Sequence, residues 1–427
     1  MPQGIPGSVD MRAPLRRGAC PALRAPMATG DGLLARFLPD DPALTPAMLR
    51  GIAEAAERCG NGIVEITQRG ALQVRGLRAG TVEDFAAAIE DLGIAVTGTV
   101  PVHVSPLSGI DPGELLDMRP LAASLRRLIA AEGLVLSPKV SVLFDGGGAA
   151  VHLDALSADV RIAAERAGEG VVCRLSAGGT AGEAFELGAA PVAEAVAAAA
   201  HPLRRIAAAG RSARARDLLH QGAAAFAADL PVRFEKMRPP PARPASEPVG
   251  MHECRNGKAA IGIGLAFGSC TSRSLQAILD AALSAGAESL ALAPRTLLAT
   301  GLPSGAVPAF RDAAAALGFV VDAADARNRI AACPGAPACA LGWIATREIA
   351  AALAARISPR ETLHVSGCAK GCAHPRPAAV VVVGRPDGCG IAFGARADGE
   401  PAAVVPVGEL AAAIAARRIL TADLADA

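Results

Sequence analysis

GTVEDFAAAIEDLG at residues 80–93 and GAVPAFRDAAAALG at residues 305–318 are the two passages on which the fold turns. Gly80, Val82, Phe85, Leu92 and Gly93 of the first find Gly305, Val307, Phe310, Leu317 and Gly318 of the second at one constant offset, and Arg69 finds Arg295 one residue off it. Each passage reads as a helix with an apolar stripe, stopped by a glycine. A register held across a helix in so alanine-rich a chain points to an internal duplication.

The same elements recur outward from each passage. In the first unit Leu33–Leu38 is strand-like and stops at Pro39, and Thr45-Pro46 opens a helix whose stripe is Met48, Leu49, Ile52, Ala53 and Ala56. Asn61-Gly62 turns the chain into paired strands at Ile63–Thr67 and Ala71–Arg75. Val64, Ile66, Leu72 and Val74 share one face, and Glu65, Thr67, Gln73 and Arg75 share the other. A helix capped by Thr81 and a strand at Ile94–Val96 complete the order, and residues 260–267, 275–283, 289–293, 296–300, 307–317 and 319–322 repeat it. Strand, helix, strand, strand, helix, strand is the ferredoxin-like split βαβ unit.

A larger α/β segment follows each unit. The first has expected strands at 139–144 and 149–152 and helices at 120–131 and 191–209; the second has a helix at 344–355, a strand at 378–383 and a helix from Val407. Gly146-Gly147-Gly148 reads as a hairpin turn, and the segment from Pro239-Pro240-Pro241 to Pro248 as an extended linker with little capacity to pack. The expected class is α+β: duplicated ferredoxin-like half-domains and two larger α/β domains in pseudo-twofold symmetry around a cleft. The expected boundaries are a flexible 1–26, half-domains at 27–98 and 251–324, larger domains at 99–235 and 325–427, and a linker at 236–250.

A formal charge of +1 over 427 residues gives no bulk field for nucleic acid or an anionic membrane. The apolar runs are short or alanine-rich, below the roughly 20 residues that cross a bilayer. Arg12, Arg16 and Arg17 are followed by no hydrophobic core of a signal peptide, so a soluble protein of the reducing cytoplasm is expected.

Four of the ten cysteines fall as Cys333-x5-Cys339 and Cys368-x3-Cys372. Two short-spaced pairs with a rigid element between them can converge on the corners of a [4Fe-4S] cube, with Pro334, Gly335, Pro337, Gly367 and Gly371 supplying tight turns. Structural zinc prefers closer knuckles. Cys20, Cys59, Cys173, Cys254, Cys270 and Cys389 are scattered and read as small core hydrophobes. The polar face of the first unit, beside Arg69, suits a ligand with many carboxylate arms, because arginine forks pair two-pronged with carboxylates. The competing reading is a solvated sheet. His152-x-Asp154 has the spacing of a metal-ligand pair if its strand continues that far, but a distal second histidine would still be needed and a chance match at a surface strand end is the favoured reading. No nicotinamide fingerprint is present, since Gly30-Asp31-Gly32 lacks a third glycine.

CPGAPACALG at 333–342 and VSGCAKGCAHP at 365–375 resemble the cluster motifs of the nitrite and sulfite reductase superfamily. The resemblance implies that Cys333, Cys339, Cys368 and Cys372 hold a [4Fe-4S] cluster and that the two α/β domains are of the reductase type. TQRGALQVRG at 67–76 is similar to the superfamily's tetrapyrrole-site signature, with Thr67, Arg69 and Gln73 in matching positions. Arg36 in LLARFLP resembles the arginine near the macrocycle, and Lys139 the first of two lysines near the substrate anion; with Arg75 these make the expected substrate contacts. Ser141 stands at the second lysine position, and VHVSPLSG at 102–109 has valine and histidine where the reductases place an arginine. Lost cations weaken an oxyanion-reducing pocket. RGACPALRAPMATGDGLLARFLP at 17–39 and GCAKGCAHPRPA at 367–378 look like the precorrin-3B synthase branch.

That branch implies a monooxygenase that hydroxylates precorrin-3A at C20 and closes a γ-lactone, using O2 and electrons from NADH through a separate reductase or ferredoxin. It also implies a mononuclear non-haem iron, for which His374 and His103 are the candidate ligands. Duplication supplies each half with an internal partner, so a monomer is plausible. The alternatives are a sirohaem-dependent assimilatory sulfite or nitrite reductase and a non-catalytic iron–sulfur electron-transfer protein.

Overall fold

The computed structural model describes residues 20–96, 100–230 and 243–423, with side chains to residue 416. Most of the expected flexible start, and Pro239 to Pro241, lie outside the described residues. Four five-stranded sheets organise the chain. The first half-domain's sheet runs, in spatial order, Met27–Thr29, Gly32–Phe37, Leu72–Leu77, Ile63–Ile66 and Ser269–Thr271. The second runs Gly250–Glu253, Lys258–Gly264, Thr296–Pro303, Ser289–Ala293 and Ala43–Leu44. The two orders are the same, and in each the last strand comes from the other half: Ala43 and Leu44 pair with Ala291 and Leu290, and Ser269–Thr271 with Glu65–Ile63.

The helices between the sheets form where the sequence signals place them. Thr45 caps Pro46–Cys59 by accepting from Met48 N–H, and Thr271 caps Ser272–Ser284 by accepting from Ser274 N–H. Leu49, Ile52, Ala53 and Ala56 of the first, and Leu275, Ile278, Leu279 and Ala282 of the second, lie in one core common to both halves. Phe85 and Phe310, which mark the repeat, are 0% and 1% exposed in that core, so the repeated positions are packing positions. Burying each stabilises by about 2–3 kcal/mol.

Two short strands are not made. Ile94–Val96 carries no strand, Ala95 accepting from Asp40 N–H instead. Phe319–Asp322 shrinks to a single bridge between Val320 and Gly264.

Duplication extends through the larger domains. One sheet is Val102–Val104, Val142–Asp145, Ala158–Ala167, Gly170–Gly179 and Phe185–Pro191; the other is Ile330–Ala332, Leu363–Ser366, Ala378–Arg385, Gly388–Ala395 and Ala403–Val405. In both, the first three strands are parallel and the last two antiparallel. A helix at Arg119–Ala131 or Thr346–Ala354 separates the first two strands, and one at Ala195–Ala208 or Leu410–Asp423 follows the last. The mixed α+β class with duplicated halves is the observed architecture.

The outer faces of the two half-domain sheets differ. Ala260, Ala291, Ala293 and Leu298 of the second pack on Leu107, Val151 and Cys254, and a Cβ on Gly262 would stand 1.6 Å from the Pro248 carbonyl oxygen. That face is closed by apolar side chains and the returning chain. The first sheet keeps its polar face and turns it toward the cysteine-bearing domain.

The linker is held more firmly than its composition suggests. Arg243 donates from Nε to Asp154 Oδ2 at 2.9 Å, and from Nη1 to Asp145 Oδ1 at 3.0 Å and the Gly148 carbonyl at 2.7 Å. His152 Nε2–H donates to the Pro244 carbonyl at 2.7 Å. One expectation is corrected, since residues 149–152 form no strand after the triple glycine, and His152 and Asp154 clasp the linker. Asp145 is only 3% exposed, so Arg243→Ala is expected to cost about 3 kcal/mol of unfolding free energy, read by denaturant titration.

Candidate functional site

Four cysteines come together through two loops at the ends of parallel strands. Cys333 follows Ile330–Ala332, and Cys368 follows Leu363–Ser366, its neighbour in the sheet. Glycines set how closely the loops approach. A Cβ on Gly367 would lie 3.1 Å from Gly342 Cα and 3.2 Å from Gly335 Cα, so three bare backbones pack where side chains would hold the loops apart. Gly335 also has φ 65, in the left-handed region. Gly367 N–H donates to Cys333 Sγ at 3.1 Å, Trp343 N–H to the Gly367 carbonyl at 2.9 Å, and Ser366 Oγ–H to the Cys368 carbonyl at 2.7 Å.

The thiols feel one another. Burial raises the pKa of Cys368 and of Cys372, and in each case Cys333 and Cys339 push the same way. A gathering of four thiols, of which Cys368 and Cys372 resist ionisation, would be stabilised as thiolates by a positive centre among them. Among the described residues no three His, Cys, Asp or Glu side chains stand as close as a single ion requires. A cubic cluster gives each thiolate its own iron and accepts wider spacing.

The polar sheet face abuts these loops. Gly30 N–H donates to the Ala338 carbonyl at 3.1 Å, and Arg75 Nη2 donates to the same oxygen at 2.7 Å. Arg75 is 3% exposed and forks onto Asp31 at 3.0 and 2.9 Å, which makes it a strut between the half-domain and the cysteine loop rather than an open anchor. Gln73 is enclosed as well: its amide oxygen accepts from Arg36 Nε at 2.6 Å and its nitrogen donates to Glu65 Oε2 at 2.5 Å. Thr67 Oγ1 accepts from the Arg69 and Ala71 N–H groups and shapes the turn. These three expected substrate contacts are each held by bonds within the chain.

Arg36, Arg69 and Lys139 remain. Arg36 is half-buried, and burial lowers its pKa. Arg69 donates to the Ser157 carbonyl at 2.7 Å, and its pKa falls through burial and then the neighbouring Arg214. Lys139 is exposed.

The histidines separate clearly. His103 lines a small cavity with Asp40, Arg69, Leu292 and Pro294, and its Nε2 has no partner. Burial, then Arg69 and Arg126, push its pKa down to about 3. Two guanidinium groups beside an imidazole repel a metal cation, so His103 does not fit as an iron ligand. Because its folded pKa lies below the ordinary 6.5, the unfolded chain takes up the proton first as pH falls. His103 should therefore remove about 1.4 kcal/mol of stability per pH unit between 6.5 and 3. Acid denaturation of His103→Gln should be correspondingly flatter than that of the parent.

His364 was not singled out by the sequence. It is 0% exposed, neither ring nitrogen has a partner, and its ring meets that of His374 edge to face at 5.7 Å. Burial and then His374 press its pKa to about 4, so the imidazole is neutral with a lone pair available. A Cβ on Gly371 would stand 3.7 Å from its Cε1, which places the ring beneath the Cys368–Cys372 loop. Asp398 lines the shallow pocket above, with His374, and pairs with Arg396.

Comparison with known proteins gives three findings. Residues 25–92 match the nitrite/sulfite reductase ferredoxin-like half domain. A precorrin-3B synthase from Sinorhizobium sp is 38% identical over 96% of this chain and 90% of its own length, and a ferredoxin–nitrite reductase from Leptolyngbya laminosa is 32% identical over 25% of this chain and 22% of its own. The structure of the Mycobacterium tuberculosis NirA protein superposes with a TM-score of 0.70 at 20% identity, covering 90% of this chain and 79% of that one, a likeness of fold.

Proposed function

The chain belongs to the precorrin-3B synthase family, a branch of the nitrite/sulfite reductase superfamily, and from that premise we propose that it oxidises precorrin-3A in cobalamin biosynthesis. The proposed reaction inserts one oxygen atom of O2 at C20 and closes a γ-lactone from the ring A acetate, while two electrons and two protons carry the other oxygen atom to water. The observation that carries the reading is the contact at Ala338, where the Cys333–Cys339 loop meets the polar wall of the first half-domain.

In this reading Cys333, Cys339, Cys368 and Cys372 hold a [4Fe-4S] cluster, and Arg36, Arg69 and Lys139 meet the carboxylate arms. A mononuclear iron would be held by the pair His364 and His374, on the evidence of the orphaned His364 nitrogens and the edge-to-face rings, with no third protein ligand close enough among the described residues. Bound together, the two groups supply single electrons and an open coordination position for O2. The protein's own part is to fix the ring by its carboxylates beside the cluster loops and to keep the His364 ring dry, neutral and oriented. Electrons from NADH reach it through a separate reductase or ferredoxin. The division into 27–98, 99–235, 251–324 and 325–427 belongs to the same proposal. So does the cytoplasmic location, which accords with the described residues having no helix long and apolar enough to cross a membrane.

Incubation of the cluster-loaded protein with precorrin-3A, an electron source and air should yield a product one oxygen heavier by mass spectrometry. No mass change would remove the monooxygenase reading. Intense Soret and red bands in the purified holoprotein would restore the sirohaem reductase instead.

A further inference from the structure

Among the described residues of the polar wall, Arg36 forms no hydrogen bond to a carboxylate, although the buried Glu65 lies near enough to favour its charge. Arg75 pairs with Asp31, and Arg347, on Thr346–Ala354 of the cysteine-bearing domain, pairs with Glu65 and donates to Ser269 Oγ at 3.0 Å. Arg36 meets only the neutral amide of Gln73, at 2.6 Å. A half-buried guanidinium with a neutral partner keeps its charge for an incoming anion.

The direction of the Gln73 amide follows from chemistry. Glu65 is 4% exposed and can only accept, so it takes the NH2 group and leaves the amide oxygen for the Arg36 Nε–H. Turned over, the amide would set two acceptors face to face on one side and two donors on the other.

We infer that Glu65 is a positioning residue: acting through Gln73, it orients Arg36 so that the terminal nitrogens present a fork to a substrate carboxylate, and through Arg347 it ties that fork to the cysteine-bearing domain. The inference rests on the reading of Arg36 as a carboxylate anchor. Glu65 itself touches no ligand. A hydrogen-bonded Arg36–Glu65 pair would have occupied the guanidinium, whereas the intervening amide fixes its orientation and holds Glu65 back, where its charge still favours that of Arg36.

The experiment is a binding cycle on the full-length, cluster-loaded protein, with uroporphyrin as the probe and its octamethyl ester as the uncharged control. Arg36→Ala is expected to weaken uroporphyrin binding tenfold or more and to leave binding of the ester unchanged. Gln73→Met, which keeps the volume and removes the amide, and Glu65→Gln should each reproduce most of that loss with cluster absorption held; Gln73→Met should also hold the thermal midpoint, whereas Glu65→Gln, which weakens the buried pairs with Arg347 and Arg75, should lower it. Added to Arg36→Ala, neither should weaken binding further, because each acts on binding through the Arg36 fork. Asp280→Ala, at a surface ion pair with Arg50, is the control for unspecific charge effects. Losses that multiply would overturn the positioning role, as would parental affinity in Gln73→Met and Glu65→Gln with Arg36→Ala still weak; in both cases the Arg36 anchor stands. Parental affinity in Arg36→Ala would instead overturn the anchor and the inference together. If Glu65→Gln does not accumulate folded, Gln73→Met decides.

Discussion

Serine at Cys333 or Cys368 is expected to bleach the broad visible absorption of the cluster and to lower turnover at least 100-fold, while serine at Cys59 or Cys173 leaves the spectrum as it was. The difference comes from where the sulfurs sit. Cys59 and Cys173 are each 1% exposed, in separate apolar cores, and burial raises the Cys173 thiol to about 11. Cys333 instead accepts a backbone N–H from Gly367 in the loop that carries Cys368. A hydroxyl binds iron far more weakly than a thiolate, and one missing corner opens the cube to solvent. Iron, acid-labile sulfide and absorbance measured on all four variants decide the matter: equal bleaching everywhere would mean the ligand set is wrong.

Removing His364 should have the second large effect, of a different kind. His364→Leu is expected to take one iron per chain while acid-labile sulfide and cluster absorption stay at parental levels, and to lower turnover at least 100-fold. Burying an unpaired donor or acceptor costs about 1–3 kcal/mol, so an apolar side chain at this position should leave metal-free stability equal or higher. A histidine retained only for packing predicts the reverse, a less stable protein with its full iron. Iron and sulfide stoichiometry together with a denaturation curve distinguish the two.

The duplication was legible because its signal was local and strong: Phe85 and Phe310 sit at matching points of matching helices, and their burial explains the match. The cysteine pairs were legible because short spacings with glycine restrict a backbone to few shapes. Glu65 was legible only as a polar residue on an alternating strand. Its role depends on Arg347, 282 residues away in the chain, and no periodicity carries that information. His364 was hidden for a related reason. In Leu363-His364-Val365-Ser366 it reads as one polar residue in a buried strand, and only the loop returning through Gly371 shows that it lies beside His374. The bonds of Arg243 to Asp145 and Asp154 were hidden, since proline-rich sequence says nothing of an arginine that finds two aspartates.

The traded edge strands bear on how the protein is made. A ribosome adds about 5–20 residues per second, so Ile63–Ile66 waits roughly 10–40 s for Ser269–Thr271 to emerge and cover its open side. During that interval the nascent chain carries bare strand hydrogen bonds that any other chain could take up. Synthesis of this protein should therefore depend on a holding chaperone more than its modest length suggests, and shortening the stretch between its halves should relieve that dependence.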